Sequence, residues 1–181
     1  MLEDKVLIWK FKCGSSDALC RIYKKYKKDL LRLAAILSNN ASDAEDIVHD
    51  VFVTFSQSAE TLKLSGNLKS FLLTCVANRA RNKNRANQRR QTVGLDEAEP
   101  IVSQSKTPEQ WMIQSEELRR WSRTMARLPY EQREAVILHL RAGMKFRQIA
   151  QSQGVSVNTV KGRYRYGLNK LRSILDGEVE K

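Results

Sequence analysis

Side chains four apart on a helix share a face, and acids and histidines so placed can hold a metal ion. The stretch DAEDIVHD contains two such pairs, Glu45 with His49 and Asp46 with Asp50, and Asp43 stands just before them. A metal-dependent nuclease or phosphohydrolase is the chemistry these residues suggest. Hydrolytic metal sites need ligands converging from several elements. Here the ligands lie on one stretch, and no second cluster occurs elsewhere. The cysteines Cys13, Cys20 and Cys75 form no C-x-x-C pair, and His139 is remote from them in the chain. Neither a zinc site nor a disulfide framework is expected. There is no Gly-rich phosphate loop. The pattern points away from catalysis, and no enzymatic activity, metal or cofactor is expected.

The basic residues carry a stronger pattern. The 181 residues bear a net charge of +12, a balance that favours a polyanionic partner, either nucleic acid or an anionic membrane surface. The run NRARNKNRANQRR holds Arg79, Arg81, Lys83, Arg85, Arg89 and Arg90 without one carboxylate. Such a segment belongs in solvent or against phosphate. A second run, GVSVNTVKGRYRYGLNKLR, combines charge with an apolar stripe. Val157, Val160, Tyr164, Leu168, Leu171 and Leu175 recur every three or four residues, the period of one helical face. Ser156 is placed as N-cap, and Val155 with Val160 as a hydrophobic staple. The other face presents Asn158, Thr159, Lys161, Arg163, Arg165 and Lys170. No acid occurs from Ala135 to Leu175, which suits a surface facing phosphates. Just upstream, FRQIAQSQ reads as a short helix whose small Ala150 allows close approach, and Gly154 supplies the tight turn. This is a helix-turn-helix pattern. Its second helix would enter the major groove by its N-terminal half. There Asn158 can read adenine, Thr159 a thymine methyl, and Lys161 and Arg163 guanine or phosphate.

The elements that must position these residues are all helical, since no alternating strand pattern persists. One helix is expected from Asp17 to Leu37, with Leu19, Ile22, Tyr23, Tyr26, Leu30, Leu33, Ala34 and Leu37 inward. A second begins at the capping box Ser42-x-x-Glu45 and buries Ala44, Ile47, Val48, Val51 and Phe55. A third, Leu68 to Arg90, is apolar at first and cationic at its end. QTVGLDEAEPIVSQSK has no stripe and reads as a flexible linker. Thr107, Pro108 and Gln110 open another capped helix, with Trp111, Leu118, Trp121, Met125 and Leu128 inward. A shorter helix, Glu131 to Arg141, follows Pro129. The expected fold is all-α: two small helical bundles, 1–90 and 107–181, joined by a linker over 91–106, with the helix-turn-helix in the second. Two cationic surfaces on one tether imply a single long ligand held at two places, because the tether raises the effective concentration of the second contact. No apolar run is long enough to span a bilayer, and MLEDKVLIWKFK reads as neither signal nor transit peptide. A cytoplasmic location without membrane insertion is expected.

DALCRIYKKYKKDLLRLAAILSNNASDAEDIVHDVFVTF resembles the first conserved domain of bacterial sigma factors. LPYEQREAVILHLRAGMKFRQIAQSQGVSVNTVKGRYRYGLNKLR is similar to their C-terminal promoter-reading domain. The order and spacing resemble the small extracytoplasmic-function (ECF) group of the sigma-70 family, over Asp17 to Leu175. The resemblance implies a non-enzymatic subunit that binds core RNA polymerase, recognises promoter DNA and opens it. It implies polymerase docking through Asp43, Glu45, Asp46, His49 and Asp50. Early acids also complement a helix N-terminus, but Asp50 lies a turn beyond that effect, and a partner is the better reason for it. It implies binding of the −10 element through Phe71, Asn78, Arg79, Arg81, Asn82 and Arg85, with the loop 58–66 pocketing a flipped non-template base. Unpairing costs on the order of a few kcal/mol per base, which pocket contacts, stacking and polymerase binding must offset. It implies reading of the duplex −35 element through Arg147, Ser156, Asn158, Thr159, Lys161, Arg163 and Arg165. An anti-sigma protein is a further candidate partner.

Several positions depart from the family pattern. Phe71 lies near a usual Trp and lacks the indole donor. Arg147 and Gln148 replace a commonly acidic pair. Lys145 stands where a Ser or Thr cap is usual, and Gln153 where an apolar residue is usual, so a poorly capped helix and a looser turn are expected. Tyr166 is off the stripe, where it can meet phosphate or polymerase. The alternative reading is a stand-alone helix-turn-helix transcriptional regulator. It explains the C-terminal half but gives no reason for NRARNKNRANQRR.

Overall fold

The computed structural model describes residues 2–38, 41–62, 64, 67–92 and 116–179. Among them the regular structure is wholly helical. The first bundle contains α1 (Leu2–Lys12), α2 (Ser16–Ser38), α3 (Ala41–Gln57) and α4 (Leu68–Thr92). The second contains α5 (Glu116–Ala126), α6 (Tyr130–Leu140), α7 (Phe146–Gln153) and α8 (Val157–Val179). The expected linker lies outside the described residues, except that Gln91 and Thr92 end α4. The capped start expected at Thr107 also lies outside them. So does the side chain of Ser42.

Helix α2 is the spine of the first bundle and packs on α1, α3 and α4. Its expected inner face is buried at Ile22, Tyr26, Leu30, Leu33, Ala34 and Leu37, against Ala44, Ile47, Val48, Val51 and Phe55 of α3 and Leu68, Leu72 and Val76 of α4. Each large side chain so buried contributes roughly 1.5–3 kcal/mol. Ser15 caps α2 by accepting the Ala18 N–H at 3.3 Å. Asn67 caps α4 by accepting the Ser70 N–H at 2.7 Å. Helix α1 was not expected, because Leu7 and Phe11 alone make too short a stripe. They are buried, while Val6 and Trp9 are exposed. Phe11 stacks on Phe55 with ring centroids 4.6 Å apart. Lys25 bridges Glu3 at 2.6 Å and Asp4 at 2.8 Å.

In the second bundle α6 is central, with Ala135, Val136, Ile137 and Leu138 buried. Gly154 takes a left-handed φ of 66° and joins α7 to α8. The Val155 N–H then closes the turn on the Ala150 carbonyl at 3.1 Å. Two inner-face expectations fail. Trp121 is 42% exposed, whereas Met125 of α5 and Leu128 just beyond its end are buried; Trp111 and the side chain of Leu118 lie outside the described residues. Leu175 is 47% exposed, because α8 outruns the bundle after Leu171.

The two bundles also pack on each other. Helices α5 and α6 touch α2, and Thr74 Oγ1 of α4 lies 3.9 Å from Met144 Sδ. The two bundles are therefore in contact, while the linker expected between them lies outside the described residues.

Candidate nucleic-acid and polymerase interfaces

The acidic ridge of α3 and the cationic half of α4 lie side by side. Lys83 Nζ bonds Asp43 at 2.6 Å and Asp46 at 3.1 Å. Arg79 Nε donates to Asp50 Oδ2 at 2.9 Å, and its Nη2 donates to the same oxygen. Residues 79 and 83 share a face of α4, which is why both meet α3. Burial opposes the Lys83 charge, but the bonds to Asp43 and Asp46 outweigh it, so its pKa lies above the ordinary lysine value. Arg79 and Asp50 are both near half exposed, and a pair in that setting contributes at most about 1 kcal/mol. It can exchange readily for other partners. Glu45 is half-buried and His49 exposed. Among the described residues, no three His, Cys, Asp or Glu side chains gather as a metal site.

The remaining −10 candidates divide. Asn82 and Arg85 face solvent. Phe71 is half-buried, its ring centroid 6.2 Å from that of Phe55. Asn78 accepts a bond from Arg81 Nη1 at 3.1 Å. Arg81 itself turns toward the second bundle, where it pairs with Glu134 and donates to the Ser152 carbonyl at 2.9 Å. A cavity of about 280 Å³ lies beside it, with Leu64, Asn67 and Phe71 on one wall and Gln148 and Gln151 on the other.

On the helix-turn-helix, Ser156 Oγ accepts the Thr159 N–H at 3.0 Å and so caps α8 as expected. Arg147, Asn158, Thr159, Lys161 and Arg165 are exposed. Tyr166 is exposed too, with the Arg165 guanidinium 5.4 Å from its ring centre. Arg163 is not free, since Nη1 donates to Gln153 Oε1 at 2.7 Å. The start of α7 is better capped than expected. A lysine ammonium has no lone pair to offer, but Gln148 Oε1 accepts the Lys145 N–H at 2.8 Å. Gln153, in a usually apolar position, spans Arg163 and Glu134, donating to Glu134 Oε2 at 3.0 Å. The turn is thus secured by hydrogen bonds where apolar packing is usual.

Two groups packed beneath these surfaces escaped the sequence reading. Glu134 is 1% exposed. Burial pushes its carboxyl pKa up, against the opposing pull of the Arg81 bond. The available signal was an acid inside the apolar run of α6. The other is His139, whose ring stacks on Phe146 at 4.2 Å and meets Tyr164 edge-on at 5.0 Å. This cluster supports α8 from beneath.

Comparison with known proteins agrees with this arrangement. Residues 22–90 match Sigma-70 region 2, and residues 118–171 match Sigma-70, region 4. The ECF RNA polymerase sigma factor EcfG of Rhodopseudomonas palustris is 30% identical over 146 residues, covering 80% of this chain and 78% of its own. The sigma factor RpoE of Bartonella quintana, solved in complex with the anti-sigma factor NepR, is 26% identical. It aligns with a TM-score of 0.64 over 86% of this chain and 97% of its own. CnrH, solved in complex with the cytosolic domain of CnrY, shares the fold with a TM-score of 0.69 at 21% identity, over 97% of this chain and 98% of its own. Both regions are matched in order, which a stand-alone helix-turn-helix regulator does not explain. The chain belongs to the sigma-70 family of RNA polymerase sigma factors, in the ECF group.

Proposed function

We propose that this chain binds core RNA polymerase through the α3 ridge, Asp43, Glu45, Asp46, His49 and Asp50, and directs it to promoters. Helix α4 and the loop before it take the melted −10 strand through Phe71, Asn78, Arg79, Arg81, Asn82 and Arg85. Helices α7 and α8 read the −35 duplex through Arg147, Ser156, Asn158, Thr159, Lys161, Arg163 and Arg165. The working units are 1–90 and 107–181, with 91–106 between them. The chain catalyses nothing itself and acts in the cytoplasm, where polymerase is. No described helix is long and apolar enough to cross a membrane. An anti-sigma protein is a candidate regulator, as one is bound to the RpoE relative.

The observation that carries this reading is one chain holding an acidic ridge on α3 and two cation-bearing helices. Asn82, Arg85, Asn158, Lys161 and Arg165 on those helices face solvent. Reconstitution with core polymerase and a promoter library tests it, and failure to bind core at micromolar concentration would remove it. Asp50→Arg is expected to weaken core binding tenfold or more without changing the circular dichroism spectrum. Unchanged affinity would take Asp50 off the docking face.

A further inference from the structure

Glu134 is buried in the second bundle, yet its ionic partner lies on the first. The Arg81 guanidinium of α4 reaches it with two nitrogens, Nη2 to Oε1 and Nε to Oε2, the latter at 3.4 Å. A third nitrogen, Nη1, donates to the Ser152 carbonyl at the end of α7 and to Asn78. Gln153 joins the same carboxylate to Arg163 of α8. One carboxylate thus ties together three elements expected to touch DNA. Beside this clasp, Gln148 and Gln151 of α7 face Asn67 and Phe71 across the cavity. Helix α7 therefore stands over the Phe71 end of α4, with the cavity between them.

We propose that Glu134 is an intramolecular latch: it holds Arg81 in the free protein, closes the helix-turn-helix over the strand-binding face of α4, and releases Arg81 when promoter DNA binds. The latch rests on the reading of α4 as that strand-binding helix.

Two features make the latch reversible. Breaking a buried ion pair is costly chiefly because one charge is left uncompensated. Here Gln153 stays on Glu134 after Arg81 leaves. Arg81 in turn exchanges a carboxylate for a phosphate. Arg81 therefore has an anionic partner in both arrangements, and Glu134 keeps a hydrogen-bond donor in Gln153, as a two-state element requires. Polymerase and DNA that bind only the open state then shift the balance by their differential affinity.

A reversible lock tests this. Thr74 and Met144 touch across the junction at 3.9 Å. In a Cys13→Ser, Cys20→Ser, Cys75→Ala background, Thr74→Cys with Met144→Cys is expected to form a disulfide that fixes the closed form, visible on a non-reducing gel. With core polymerase, the reduced protein is expected to open promoter DNA as its background does. The oxidised protein is expected to do so at least tenfold less, with recovery in dithiothreitol. Equal opening by both forms overturns the latch and leaves the sigma-factor reading standing. Inactivity of the wild-type chain sinks that reading and the latch with it.

A second measurement needs no disulfide. Dyes on Cys20 and Ser173→Cys, with Cys13→Ser and Cys75→Ala, report the distance between bundles in the free protein. Glu134→Gln is expected to lower energy transfer and to raise affinity for a single-stranded −10 oligonucleotide threefold or more. A folded Glu134→Gln protein in which either quantity is unchanged overturns the proposal.

Discussion

At Gly167, α8 comes close enough to α6 that a side chain would strike it. A β-carbon there would stand 2.8 Å from Val136 Cγ2 and 3.4 Å from Gln132 Cβ. Val136 is fully buried and β-branched, so it has little rotamer freedom with which to yield. Overpacking of this kind costs about 1–3 kcal/mol, and the better helix propensity of alanine returns up to about 1 kcal/mol. Gly167→Ala is therefore expected to lower the calorimetric Tm by about 2–4 °C. A rise would mean that the two helices separate freely. Lys161 poses a different question, because its side chain is exposed and no partner is seen for it among the described residues. Lys161→Ala is expected to flatten the log–log salt dependence of −35 duplex binding by about one unit. The deficit of the variant then shrinks as salt rises, whereas a deficit constant with salt would indicate a base contact.

The helices differ in how much of their reason is local. Helix α8 carries its own start signal, and Ser156→Ala is expected to cost about 1 kcal/mol. The loss falls on the turn that presents Asn158 and Thr159, so −35 binding should weaken more than global stability, by comparison of duplex affinity with denaturant midpoints. Helix α1 depends on its neighbours. Burial raises the Asp4 pKa, but bonds from Lys25 and Tyr26 outweigh this, and the carboxyl titrates below its ordinary range. A depressed carboxyl contributes stability that is present above its unfolded value of about 3.9 and lost as pH falls through the folded value. Helix α1 is expected to detach in that acid window, read by side-chain chemical shifts of Leu7 and Phe11. Asp4→Asn should loosen α1 at neutral pH and remove that step. No cap or long stripe announced α1, because its order comes from Phe55, Lys25 and Tyr26, all distant in the chain.

The whole molecule is defined by which charges meet. A +12 chain has more cations than carboxylates, so each buried or paired acid selects which cations stay available to phosphate. Asp50 takes Arg79, Asp43 and Asp46 take Lys83, and Glu134 takes Arg81. Asn82, Arg85, Asn158, Lys161 and Arg165 face solvent. With the bundles in contact, small-angle scattering of the free protein is expected to give a radius of gyration near 16 Å, the scale of a compact chain of this length. A value above about 20 Å would show that the bundles part in solution.

Sequence alone was enough for the helices α2, α3, α4 and α8, the turn at Gly154, the cap at Ser156 and the family. Those features depend on residues three or four apart, or on charge within one segment, and such spacing is visible without folding. Tertiary structure decided that Arg81 and Arg163 turn inward, that Gln153 secures the turn, and that the two bundles close on each other. Arg81 and Glu134 are 53 residues apart. A pairing over that distance follows no period, because it is set by where packed helices place two side chains after the chain has folded.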